Sequence, residues 1–299
     1  MSLTISQISK TFGASIAVDN ISFTINTGEV VGFLGPNGAG KSTTMKMIVG
    51  FLQADNGTIT LNGLSCEQDA VKYKKMIGYL PESNALYEDM YVKEYLGFIA
   101  AGHEIKNPSN RIKEVIEQTG LNLMQAKKIN QLSKGYKQRV GMAAAIIHSP
   151  MLLILDEPTA GLDPNQLTEI RNLIQQLSKD AIVLFSTHIL QEVTAICSSV
   201  IVLHQSKLVA NTSIDQLRKP TEPSVRVVFE EEITPHLSDP FFQKLSYEQV
   251  DKRALVIKSS DEQGVKKSIL NFALDKGLNI QSLHTQEASL EEIFKLLTH

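Results

Sequence analysis

Apolar and polar residues alternate near the start of the chain, in Leu3-Thr4-Ile5-Ser6 and again in Ile21-Ser22-Phe23-Thr24-Ile25. A period of two puts successive side chains on opposite faces, so both segments read as half-buried strands. Val30-Val31-Gly32-Phe33-Leu34 drops the alternation and is apolar throughout, the mark of a strand covered on both faces of a parallel sheet. A Gly-rich turn, a helix-like segment from Ser42 to Phe51 and a short strand at 57–63 follow. From about 88 to 148 the spacing turns helical, with Ile112, Val115 and Ile116 on one face and Val140, Ala143, Ala144 and Ile147 on another. Apolar strand-like runs return at Met151–Leu155, Ala181–Phe185 and Val200–Leu203. Between the first two, Asp163-Pro164 opens a helix, proline being tolerated at a first helical position. Strand and helix in alternation predict a wound α/β core, and the helical block reads as a subdomain inserted into it.

Lys219-Pro220-Thr221-Glu222-Pro223 interrupts this pattern and divides the chain into 1–219 and 220–299. Beyond the break, strands are expected at Val225–Phe229, Ala254–Lys258 and Leu278–Leu283. A helix is expected over 261–275, and a final amphipathic helix at Leu290–Leu297. This reads as a small α+β module with its own core. His236, His284 and His299 are too scattered for a metal site, and Glu230-Glu231-Glu232 reads as a solvated strand end. A regulatory or dimer-stabilising module and a packing appendage both fit.

Composition narrows the class. The 299 residues are 42% hydrophobic and 20% charged, enough for one large domain or two ordinary ones and unlike a disordered or collagen-like chain. A net charge of −3 excludes a chain that is basic overall, so no direct contact with nucleic acid is expected. Two cysteines, Cys66 and Cys197, cannot build a disulfide framework and suit a reducing cytosol. The longest apolar-rich region, 141–155, is broken by His148, Ser149 and Pro150, short of the roughly 18–20 apolar residues that cross a bilayer. Polar residues occupy the N-terminus where a signal peptide carries its apolar stretch. The expectation is a soluble chain that meets a membrane only through a partner.

Two constellations carry chemistry. Gly35-Pro36-Asn37-Gly38-Ala39-Gly40-Lys41-Ser42-Thr43 fits G-x-x-x-x-G-K-[ST], directly after an apolar strand and opening a helix. Its glycines let backbone N–H groups wrap a phosphate, and the helix N-terminus adds positive potential. Lys41 is placed to reach the β- and γ-phosphates, and the Ser42 hydroxyl to ligate Mg²⁺. The second is Asp156-Glu157, delivered at the C-terminal end of an apolar strand, where open α/β sheets bind ligands. Asp156 is expected in the Mg²⁺ shell and Glu157 as the general base that polarises the attacking water.

With these residues in order, the chain resembles the nucleotide-binding subunits of ABC transporters, over about 1–215. Leu132-Ser133-Lys134-Gly135-Tyr136-Lys137-Gln138-Arg139 looks like the family's signature motif, Ala160-Gly161-Leu162-Asp163 like its D-loop, and His188 like its switch histidine. Phe12 stands where the family stacks an aromatic ring on adenine. The resemblance implies a P-loop NTPase cassette with an inserted helical subdomain at about 88–148, followed by the α+β module. It implies ATP and Mg²⁺ as cofactors. Two copies would associate head to tail, Ser133 and Gly135 of one binding the γ-phosphate held by the other. His188 would contact the γ-phosphate and the water, and Asp163 would communicate across the dimer. The partners implied are a membrane permease and a second ATP-binding subunit. The place implied is the cytoplasmic face of the cell membrane, where the chain would be peripheral.

Two positions depart from the family pattern. Lys134 and Tyr136 replace a Gly and the Gln of LSGGQ, and Lys134 either adds positive charge near the phosphate or is a solvated lysine. In Ile77-Gly78-Tyr79-Leu80-Pro81-Glu82, resembling the Q-loop, Glu82 stands where the family commonly has Gln. A metal contact and a hinge facing the membrane subunit both fit it. These departures, the appended module and the closing Ser289–Phe294 resemble the ABC-2-type subgroup, which includes exporters and gliding-motility ATPases. The alternative from another class is a soluble ABC-type ATPase that switches on ribosomes or nucleic acid. A single cassette and the lack of sustained heptads in 88–148 weigh against it.

Overall fold

A computed structural model describes residues 1–160, 162–218, 224–259 and 261–286. β1 (Ser2–Phe12) and β2 (Ser15–Asn26) form an antiparallel hairpin, and β3 (Val30–Leu34) follows, buried along its whole length. α1 (Lys41–Val49) opens directly from the Gly-rich turn. β4 (Asn56–Leu61) returns to pair with β1, giving a sheet of order β2-β1-β4. α2 (Ala70–Lys75) and the four-residue β5 (Ile77–Leu80) lead to the helical block, α3 (Val92–Gly102), α4 (Pro108–Gln118) and α5 (Lys134–Ile146). Then come β6 (Leu152–Asp156), α6 (Pro164–Leu177), β7 (Ile182–Thr187), α7 (Leu190–Ile196), β8 (Ser199–His204) and β9 (Lys207–Ser213).

Six strands make the central sheet in the order β5-β6-β7-β3-β8-β9, parallel except for β9, which runs antiparallel to β8. Alternate residues of the inner strands feed two cores. Leu153, Leu155, Val183 and Phe185 pack with residues of α3–α6, whereas Leu152, Ile154, Ile182 and Leu184 pack with Val31, Phe33 and the hairpin. Each such side chain stabilises the fold by roughly 1.5–3 kcal/mol over exposure. That double burial is why these strands read as unbroken apolar runs. β5 is too short to display a period, and β9 is an edge strand in which exposed and half-buried residues alternate, with apolar Val209 on the exposed side, so its period is weak.

The chain divides into compact units, the first spanning Met1–Ile214 and the second beginning at Asp215. α8 (Ile214–Arg218) lies at the junction. The second unit contains β10 (Ser224–Phe229), α9 (Pro240–Gln243), β11 (Ser246–Gln249), β12 (Ala254–Lys258), α10 (Glu262–Lys276) and β13 (Ile280–Gln286). Its sheet is antiparallel, in the order β11-β12-β10-β13. Val265, Ile269 and Phe272 of α10 cluster with Val225, Val227, Phe229, Leu255 and Ile257 in a core of its own. The helix expected at Leu290–Leu297 lies outside the described residues. Among those described, no helix is long and apolar enough to cross a membrane.

Candidate active site

The turn from β3 into α1 is made by glycines that no other residue can replace. A Cβ on Gly35 would collide with the Leu203 carbonyl oxygen, and one on Gly40, at φ 102°, with that of Ala17. Lys41, only 7% exposed, lies back across this loop: Nζ donates to the carbonyls of Gly35 at 2.6 Å and Pro36 at 3.1 Å. Burial pushes its ammonium below the ordinary value, while the carboxylates of Glu157, Asp156 and Glu82 pull the other way.

Asp156 ends β6 and faces Ser186 of β7 in parallel register. The fully buried Ser186 hydroxyl donates to Asp156 Oδ1 at 2.5 Å and accepts from the Glu157 N–H at 3.0 Å. The Ser186 carbonyl shares the same N–H at 3.2 Å. Glu157 sits in the left-handed region at φ 50°, a conformation disfavoured for a side chain with a Cβ and here fastened by both bonds. Its Oε1 is 3.0 Å from His188 Nδ1, the carboxyl nearly covered and the imidazole open to solvent.

A cleft of about 390 Å³ gathers these groups. Asn37, Gly38, Gly40, Lys41, Ser42 and Thr43 line one side, with Glu82, Asp156, Glu157 and His188, while Ala17 and Ala160 complete the wall. Gly35, Pro36 and Ala39 shape the loop without lining the cleft. Ser42, Glu82 and Asp156 present hard oxygen donors, the set that suits Mg²⁺. The same three residues also border a larger cleft of about 610 Å³ that extends to Tyr95, His103 and Gly141.

Besides Gly35, Pro36 and Ala39, three expected site residues do not line the phosphate-loop cleft: Phe12, Ser133 and Gly135. Phe12 ends β1, 51% exposed, with Lys10 Nζ 5.8 Å from its ring centroid. Ser133 caps α5 by accepting the Tyr136 N–H at 3.5 Å, and Gly135 is buried against the side chain of Gln166. Asp163 caps α6, accepting the Gln166 N–H at 2.9 Å; Gly161 is outside the described residues. Ser186, which holds both acids, was not singled out from the sequence as a site residue. Its one sequence signal is that β7 ends in polar Ser186-Thr187 after an apolar run.

A parallel sheet with a phosphate loop after one strand and an acid pair after another defines a P-loop nucleotide hydrolase. Residues 18–160 match the family described as ABC transporter. The chain is 33% identical to the linearmycin resistance ATP-binding protein LnrL of Bacillus subtilis (strain 168), over 97% of this chain and 96% of that one. It is 31% identical to the bacitracin transport ATP-binding protein BcrA of Bacillus licheniformis, over 96% and 94%. A solved structure of the ATP binding subunit of an ABC transporter superposes with a TM-score of 0.68 at 30% identity, covering 73% of this chain and 92% of that one. The chain belongs to the ATP-binding proteins of ABC transporters. It is an ATPase, a motor subunit of the transporter type.

Proposed function

We propose that residues 1–219 form the ATP-hydrolysing domain that powers a separate membrane permease of export type, working as a head-to-tail pair on the cytoplasmic face of the membrane. Residues 220–299 are then an accessory module. The names of LnrL and BcrA, which speak of linearmycin resistance and bacitracin transport, support a transporter motor.

The loop 35–43 cradles the phosphates, Lys41 leaves its carbonyl partners for the β- and γ-phosphates, and Phe12 stacks on the adenine. Mg²⁺ fits the oxygen donors of Ser42 and Asp156, with Glu82 beside them, and when bound it neutralises phosphate charge. Glu157 takes the proton of the attacking water, and His188 orients that water against the γ-phosphate. Ser133 and the Gly135 N–H, at the N-terminus of α5, serve the nucleotide held by the second copy. Their position outside the chain's own cleft accords with that division of labour. One observation carries the reading: Glu157 and His188 meet at 3.0 Å in the cleft that Lys41 lines. Glu157→Gln keeps the geometry and removes the base, so ATP affinity should persist while turnover falls about 10²-fold or more. Turnover near wild type in a steady-state ATPase assay would overturn the assignment.

A further inference from the structure

One buried carboxyl group close to this machinery has no part in the reaction as written. Glu192, on α7, is 4% exposed, and its Oε2 accepts two hydroxyl hydrogen bonds at 2.7 Å, from Thr159 and from Thr187. Both threonines are buried. Thr159 lies two residues beyond Glu157, on the segment leaving β6, and Thr187 directly precedes His188 at the end of β7. The Thr187 hydroxyl also accepts the Ile189 N–H at 3.0 Å, so the chain is pinned on both sides of His188.

α7 itself is seated against β3. A Cβ on Gly32 would come within 2.6 Å of Val193 Cγ1 and 3.2 Å of Cys197 Sγ, so the helix rests directly on the strand backbone. The carboxyl group therefore hangs from a helix packed on the strand that feeds the phosphate loop. To that helix it ties the two segments that carry Glu157 and His188. A carboxyl group is expensive to bury, and an apolar side chain would fill the same space at lower cost. What the carboxyl adds is a second tie between the two segments, beyond the backbone bond from the Glu157 N–H to the Ser186 carbonyl that joins β6 to β7.

We propose that Glu192 is a positioning residue for ATP hydrolysis: one carboxyl oxygen buckles Thr159 to Thr187 and so sets the Glu157–His188 separation. The role rests on Glu157 being the base. Without the buckle only the Ser186 bonds to Asp156 and Glu157 join the two segments, the chain beyond them is free to shift, and a displacement of about 1 Å at a catalytic group costs roughly 10²-fold in rate. ATP binding is spared, because the phosphate loop and Lys41 make their contacts without Glu192.

The test uses the full-length chain, comparing kcat, KM for ATP and melting temperature of E192A, E192Q, the double variant T159V/T187V and E157Q. E192A should lose roughly 10- to 100-fold in kcat, with KM changed by less than about twofold. E192Q should recover most of that loss, because its amide oxygen accepts both hydroxyls. The double variant keeps Glu192 and the shape of both threonines but removes both donors, and it should reproduce the E192A loss even where E192A itself fails to fold. Wild-type turnover in E192A or in the double variant overturns the proposal, as does E192Q as slow as E192A, or a KM that rises in step with the loss of kcat. Slow E157Q beside fast E192A removes the buckle alone. Wild-type turnover in E157Q removes the base assignment and the buckle with it.

Discussion

Ser186→Ala probes the junction of β6 and β7 with the smallest change of volume. Its hydroxyl makes two buried bonds, a 2.5 Å donation to Asp156 and a 3.0 Å acceptance from the Glu157 N–H. The first goes to a carboxyl group that is 3% exposed, and removing such a charge-assisted partner costs about 1.5–3 kcal/mol. The second is partly retained, since the Ser186 carbonyl remains 3.2 Å from the same N–H. We expect a total of about 2–3 kcal/mol, which for a unit of this size lowers its melting temperature by roughly 4–12 °C. Differential scanning calorimetry of the full chain reads the shift, with Ser186→Thr as the control that keeps a hydroxyl. The same change leaves the backbone of Glu157 at its left-handed φ held by one bond in place of two, so turnover should fall together with stability. A melting temperature within about 1 °C of wild type would refute the account, because it would mean that the Ser186–Asp156 bond contributes nothing net.

Lys41→Ala should weaken ATP binding itself, because it removes the cation inside the phosphate loop; an unchanged affinity in an equilibrium titration would contradict that placement. His148 supplies a pH dependence. Its Nε2 lies 3.0 Å from the Ile77 carbonyl and its ring stacks on His103 at 3.9 Å. Burial above all, with His103 and Arg111 adding to it, pushes the imidazole from an ordinary 6.5 down to about 4. The folded value lies below the unfolded one, so stability is full above pH 6.5 and is lost as pH falls towards 4, where the unfolded chain takes up the proton first. His148→Gln should flatten that loss in thermal melts recorded from pH 7 to pH 4.5, and an unaltered slope would show that another group carries it.

Much of the site was legible as short runs. The phosphate loop announces itself because every residue that shapes it is contiguous, and the apolar β3 before it shows which end of a strand it occupies. Asp156-Glu157 was legible for the same reason. In the second unit, Ala254–Lys258 and the helix after Asp261 appear where their periodicity put them. β5, β9 and β11 were not foreseen: four residues display no period, and edge strands wetted on both faces show no clear apolar alternation. Asp163 was read as a contact across a dimer, and within the chain it also does the local work of capping α6.

The class of chemistry is written along the chain: a phosphate loop, an acid pair and a histidine in a fixed order, each set by local backbone requirements. How these pieces meet follows from the packing of the sheet. The strand order β5-β6-β7-β3-β8-β9 brings the C-terminal ends of β3, β6 and β7 side by side, although His188 lies 147 positions after Lys41. Parallel register then sets Ser186 against Asp156, and side-chain packing sets Glu192 between Thr159 and Thr187. Those pairings depend on strand neighbours joined through crossover helices. Such neighbours leave no periodic trace in the chain, because the hydrogen bonds that choose them are made by the backbone, which is the same at every residue.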